Sequence, residues 1–83
     1  SDLEAYLSIS QKKFEIYLLD KKNLNNIYKE KLSINNDTDL IDYSLLNSFL
    51  DLNIFKIEKL IGNFLRNIVV IVENEQILNF SIG

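Results

Sequence analysis

The stretch Leu46 to Val72, LNSFLDLNIFKIEKLIGNFLRNIVVIV, decides the fold because its apolar spacing changes along its length. Leu46, Leu50, Ile54, Ile57, Ile61, Phe64 and Ile68 recur every three or four residues, and Leu45, Phe49, Leu60 and Leu65 widen the stripe. That period predicts one long amphipathic helix. Asn53 is a candidate second cap, so the helix is expected to bend or break near Asp51-Leu52-Asn53. Gly62 falls inside the apolar stretch, at a cost of about 1 kcal/mol relative to alanine in a helix, and close packing against a sheet is the expected reason. From Ile68 to Val72 the run is β-branched and apolar on both faces, which marks a central strand.

Working outward, the turn Glu73 to Gln76 leads to Leu78, Phe80 and Ile82, which alternate with Asn79 and Ser81 as a hairpin partner. Upstream, the polar segment Asn35 to Asp39 prepares the helix start. Before it, Ile27 to Ile34 reads as a strand with Tyr28, Leu32 and Ile34 on one face, and Phe14 to Leu19 as another. Ala5, Leu7 and Ile9 alternate with Tyr6, Ser8 and Ser10, giving a first strand, with a short helix capped by Ser1 and Glu4 as the alternative. The pairs Lys12-Lys13 and Lys21-Lys22 read as charged hairpin turns. The predicted fold is therefore α+β, an antiparallel sheet of about five strands with one long helix on one face, in the order βββαββ. Residues 1–83 make a single domain, expected to be a processed chain or a fragment of a longer one because position 1 is Ser1 rather than methionine.

The missing residues narrow the chemistry. The chain has 83 residues and no histidine, cysteine, methionine, tryptophan or proline, with glycine only at Gly62 and Gly83. Zinc, haem, copper and iron–sulfur centres thus lose their usual ligands, and triads built on a histidine base cannot be assembled. No disulfide can form, which fits a reducing compartment, and the cytoplasm is expected. Neither G-x-G-x-x-G nor G-x-x-x-x-G-K-[ST] occurs, so no glycine-rich loop is available to cradle phosphates. With 9 basic against 12 acidic side chains and a net charge of -3, the chain lacks the basic footprint of a nucleic-acid module. No apolar run approaches the ~18 to 20 residues needed to span a bilayer, and no signal peptide is read.

Acidic side chains cluster in two places. Asn35, Asp37 and Asp39 have the alternate spacing of a calcium loop with Asp42 close behind, but the sixth position is Leu40 rather than glycine and the twelfth is Leu46 rather than glutamate. Helix capping and interaction with the helix dipole explain them better. The pairs Asp39/Asp42 and Glu73/Glu75 could do acid–base work in a cleft, yet no residue pattern beside them suggests one. The expectation is a non-enzymatic chain without cofactor or metal.

The more informative feature is geometric. One helix covers one face of a sheet, and Phe14, Ile16, Leu18, Leu32, Ile34, Val70, Val72, Leu78, Phe80 and Ile82 are expected to face it. Tyr17, Leu19, Val69, Ile71 and Ile77 then share the opposite face as a candidate interface. Apolar patches of that kind tend to be binding surfaces, and open strand edges offer a second route to association. The partner is expected to be a protein or a second copy in a homodimer, not nucleic acid and not an inserted membrane. A small-ligand or enzyme domain completed by another subunit, or by further chain, is the alternative.

Leu3 to Ile34 resembles the three-stranded meander that opens the actin-like ATPases. Asp42 to Gly83 resembles the strand-helix-strand-strand domain of the bacterial cell-division protein family FtsA. The residues concerned are Phe55-Lys-Ile-Glu-Lys-Leu-Ile-Gly62, Asn67-Ile-Val-Val-Ile-Val-Glu73 and Ile77-Leu-Asn-Phe-Ser-Ile82. Actin-like members carry an Asp-x-Gly-Thr/Ser phosphate loop between their first two strands, and here that place reads Ser8-Ile9-Ser10-Gln11. The resemblance therefore implies a relative without nucleotide chemistry that keeps the family's protein-interaction role in cell division. FtsA reaches the membrane through a C-terminal amphipathic helix, and no such segment reads from these residues. Location at the inner face of the membrane is then expected through partners.

Overall fold

The computed structural model describes residues 2–35 and 40–73. Its elements are β1 (Leu3–Ile9), β2 (Lys13–Asp20), β3 (Asn25–Ser33), α1 (Tyr43–Ile61) and β4 (Ile68–Val72). The fold is α+β, with one helix and a mixed sheet in the order β3-β2-β1-β4. The first segment is thus a strand rather than a short helix.

Side-chain hydrogen bonds shape the two hairpins. Between β1 and β2 the Ser10 hydroxyl oxygen accepts from the Lys12 and Lys13 amides at 3.3 and 3.1 Å. Between β2 and β3 the Asp20 carboxylate accepts from the amides of Lys22 and Asn23 and from Asn23 Nδ2, at 3.0, 3.3 and 2.8 Å. Leu24 completes that turn with φ 57°, a left-handed conformation that a non-glycine residue seldom takes. Both lysine pairs lie at these turns, as their sequence predicts.

The all-antiparallel expectation is corrected at β4, which runs parallel to β1. The reason is length. Three antiparallel strands leave the chain at the end of β3, itself parallel to β1. At about 1.5 Å per residue the 19-residue helix spans roughly 28 Å, close to the roughly 30 Å of β3 at about 3.3 Å per residue. It therefore returns the chain to the starting end of the sheet, and the next strand must run in the same direction as β1. The fifth strand expected over 77–82 lies outside the described residues.

Helix α1 is continuous, which corrects the expected break near Asp51 to Asn53. Asp42 is its N-cap, accepting from the Leu45 amide at 3.0 Å. Gly62 does not sit inside the helix. It is the C-cap, at φ 68°, and its amide donates to the Glu58 carbonyl at 2.9 Å. Nothing lies within 4 Å of where a Cβ would stand, so left-handed backbone, not close packing, is what calls for glycine there. Phe64 and Ile68 consequently fall outside the helix despite their spacing.

The core gathers Ala5, Leu7 and Ile9 from β1, Phe14, Ile16 and Leu18 from β2, and Leu46, Phe49 and Ile57 from α1. Full burial of each large side chain contributes on the order of 1.5–3 kcal/mol. Leu32 and Ile34 pack at its margin. Val70 and Val72 pair with Leu7 and Ile9 and so share the helix-facing side as predicted, but they stay 50% and 37% exposed. The helix makes its main sheet contacts with β2 and β3, so on β4 Ile68 packs against the core while Val70 and Val72 stay largely open. Leu78, Phe80 and Ile82 lie outside the described residues. Asn53 is buried among these apolar groups: its Nδ2 donates to the Phe49 carbonyl at 2.8 Å, and its Oδ1 accepts from the Tyr28 hydroxyl.

Candidate functional site

Strand parity builds the site. With Ala5, Leu7 and Ile9 turned to the core, Glu4, Tyr6 and Ser8 point to the other side of the sheet. Register then aligns their neighbours. Tyr6 lies between Tyr17 on β2 and Val69 on β4, Ser8 between Glu15 and Ile71, and Glu4 opposite Leu19. Tyr17, Leu19, Val69 and Ile71 therefore share the face that the sequence predicts for them, while Ile77 lies outside the described residues.

At the centre the Tyr6 and Tyr17 rings stack, with centroids 5.1 Å apart and planes inclined by 16°. Aromatic pairs of this kind contribute about 0.5–1.5 kcal/mol beyond their buried area. Val69 and Ile71 continue the surface and are 39% and 41% exposed. The tyrosine platform thus has one stacked pair at its heart and two branched aliphatic side chains beside it.

Charged groups frame the platform unevenly. On the β2–β3 half, Lys29 pairs with Tyr17, Lys31 with Glu15 and Lys13 with Ser33, and Lys29 Nζ is 3.6 Å from Glu15 Oε2. On the β1–β4 half, Ser8 donates to Glu73 at 2.6 Å and the Tyr6 hydroxyl to Glu4 at 2.5 Å. The Tyr6 phenol is held above its ordinary pKa, first by that bond to the Glu4 carboxylate, then by burial and by the nearby charges. It remains a donor at neutral pH.

Tyr6 is the residue that sequence reading passed over. Its signal was present in the alternation of Ala5, Leu7 and Ile9 with Tyr6 and Ser8, which already placed it on the outer face.

A cavity of about 500 Å³ opens at the sheet end, bounded by Leu3, Glu4, Lys21, Ile61, Phe64 and Arg66. It gathers charges of both signs but no hydroxyl side chain, and Glu4 is already engaged by Tyr6. Asp42, the described member of the acidic cluster, caps α1 and does not line this cavity. Asp37 and Asp39 lie outside the described residues. Among the described residues, no helix is long and apolar enough to cross a membrane. No family model, curated protein or solved structure matches the chain.

Proposed function

We propose that this chain is a non-catalytic protein-interaction module that contacts its partner through the outer face of the sheet. The observation that carries the reading is the alignment of Tyr17, Leu19, Val69 and Ile71 around Tyr6, on the side of the sheet opposite α1. Val69 and Ile71 are large, branched and well exposed, so covering them releases water from apolar surface. The proposal extends to an FtsA-like bacterial cell-division protein acting in the cytoplasm. What supports that extension is the three-stranded meander followed by a helix and a β-branched strand; the Ser8 to Gln11 segment departs from the family's phosphate loop and bears only on the non-catalytic part of the reading.

Site-specific photocrosslinking tests the reading. A benzophenone side chain at Tyr17 should give adducts with protein, whereas the same group at Phe55, exposed on the helix, should not. Ile71→Lys should suppress the Tyr17 adducts while leaving the circular dichroism spectrum unchanged. Equal adducts from both positions, or none from Tyr17, would exclude the outer face as the contact surface.

A further inference from the structure

We propose that the occupant of the outer face is a second copy of this chain, packed sheet against sheet about a two-fold axis that runs along the strands. The proposal rests on the interaction reading above and names its partner. Its warrant is the distribution of charge around the tyrosine platform. Among the described residues, the β2–β3 half of this face carries Lys13, Lys29 and Lys31 with Glu15, and the β1–β4 half carries Glu4 and Glu73 without a lysine. The face is therefore basic on one side and acidic on the other.

Symmetry turns that division into a docking rule. A two-fold contact places the same patch on both copies, so the patch must complement itself. An axis along the strands lays β3 of one copy over β4 of the other and β2 over β1. Lysines then meet the acidic half, and Tyr6 of each copy meets Tyr17 of the other. The other in-plane axis, across the strands, would lay β3 over β3 and bring Lys29 and Lys31 against their own copies. Like charges brought together at an interface disfavour that arrangement. Alignment along the strands is also how two twisted sheets ordinarily pack, within about 30° of each other.

The area sets the strength. Four strands spaced about 4.8 Å apart, each contributing five to seven residues at about 3.3 Å, give a footprint of roughly 400 Å² per copy. A standard interface buries about 800 Å² per partner, so this one is small and the pair should exchange with free monomer. Salt should weaken it, because the guiding charges lie at the rim.

Sedimentation equilibrium on the purified chain gives the test. The wild type should pass from 9.7 kDa towards twice that mass as concentration rises into the hundreds of micromolar. The doubly substituted Lys29→Glu, Lys31→Glu chain should remain monomeric, as should the Glu4→Lys, Glu73→Lys chain. Mixed in equal amounts, the two should recover a dimer, which a merely structural loss in either variant would not allow. A wild type that stays monomeric throughout, or variants that associate as the wild type does, would overturn the self-pairing. Crosslinks from Tyr17 to a heavier protein, with the purified chain monomeric, would reject the second copy and leave the interaction reading standing. Absence of both would reject the two together.

Discussion

Replacing Tyr28 by phenylalanine removes one oxygen atom from the chain and, with it, the donor to Asn53 Oδ1. Asn53 is only 2% exposed and its amide nitrogen is committed to the Phe49 carbonyl, so Oδ1 would be left buried without a partner. Burial holds the Tyr28 phenol above its ordinary pKa, with the Glu30 charge adding to the effect, so the wild-type hydroxyl donates throughout the neutral range. An unsatisfied buried acceptor costs roughly 1–3 kcal/mol, and we take about 1.5 kcal/mol here because the ring itself is retained. A chain of this length has about 4–12 kcal/mol of stability in all, so the loss is a sizeable fraction. Urea unfolding followed by far-ultraviolet circular dichroism would show it. With a slope of about 1 kcal/mol per molar urea, the midpoint should fall by about 1.5 M. Adding Asn53→Leu removes the stranded acceptor and fills its space with apolar atoms. The double variant should therefore recover most of the lost stability, with a coupling of about 1 kcal/mol or more. A Tyr28→Phe midpoint within about 0.3 M of wild type, or strictly additive effects, would refute the buried bond.

Two further expectations test local devices. Gly62→Ala places a side chain at φ 68°, where open space offers no clash but the left-handed backbone costs about 1 kcal/mol. The thermal midpoint should drop by about 4–8 °C, and Gly62→Asn should recover part of it; no drop would mean that α1 does not end in this cap. Asp20 is held below the ordinary carboxylate value of 3.8, first by the Asn23 side-chain bond and also by the Asn23 and Lys22 amides, against a smaller opposing effect of burial. Its unfolded form therefore takes up a proton first as pH falls. The contribution is full above pH 3.8 and is lost through the lower folded-state value, so the stability gap between wild type and Asp20→Ala should close on acidification from pH 5 to pH 2. A gap that persists unchanged to pH 2 would rule out this carboxylate as the turn's organiser.

Local patterns carried much of the fold, and long-range partners carried the rest. The alternation of Phe14, Ile16 and Leu18 named its own buried face, because a strand has a period of two whatever surrounds it. Tyr17, Leu19, Val69 and Ile71 were assigned to the opposite face by the same logic. In the sequence Asn53 has the signature of a cap, because an asparagine amid leucines and isoleucines ordinarily signals an end. The Phe49 carbonyl one turn back accepts from the Asn53 amide nitrogen, and the Asn53 oxygen is met by Tyr28, 25 residues away on another element. Gly62 was misplaced because Phe64 and Ile68 happen to continue the three-and-four spacing beyond the true end of the helix. Lys59 in the last turn followed by glycine was the contrary signal. The parallel sense of β4 was legible in principle, since helix length and strand length together fix which end of the sheet the chain returns to.

Width explains what length does not. A helix with its side chains is about 10–12 Å across, and four strands at about 4.8 Å spacing extend well beyond it. Seated over β2 and β3, α1 leaves β4 at the margin, where a run apolar on both faces is exposed on both. The two exposures are chemically different. On the helix side Val70 and Val72 stand beside the core, and anything that covers them extends that core. On the outer side Val69 and Ile71 adjoin stacked tyrosines bordered by lysines on one flank and glutamates on the other, a mixed surface of the kind that protein contacts use. Exposed apolar surface is thus common to both faces of β4, and among the described residues the outer one is where stacked tyrosines and flanking charges of both signs adjoin it, the feature on which the proposed contact rests.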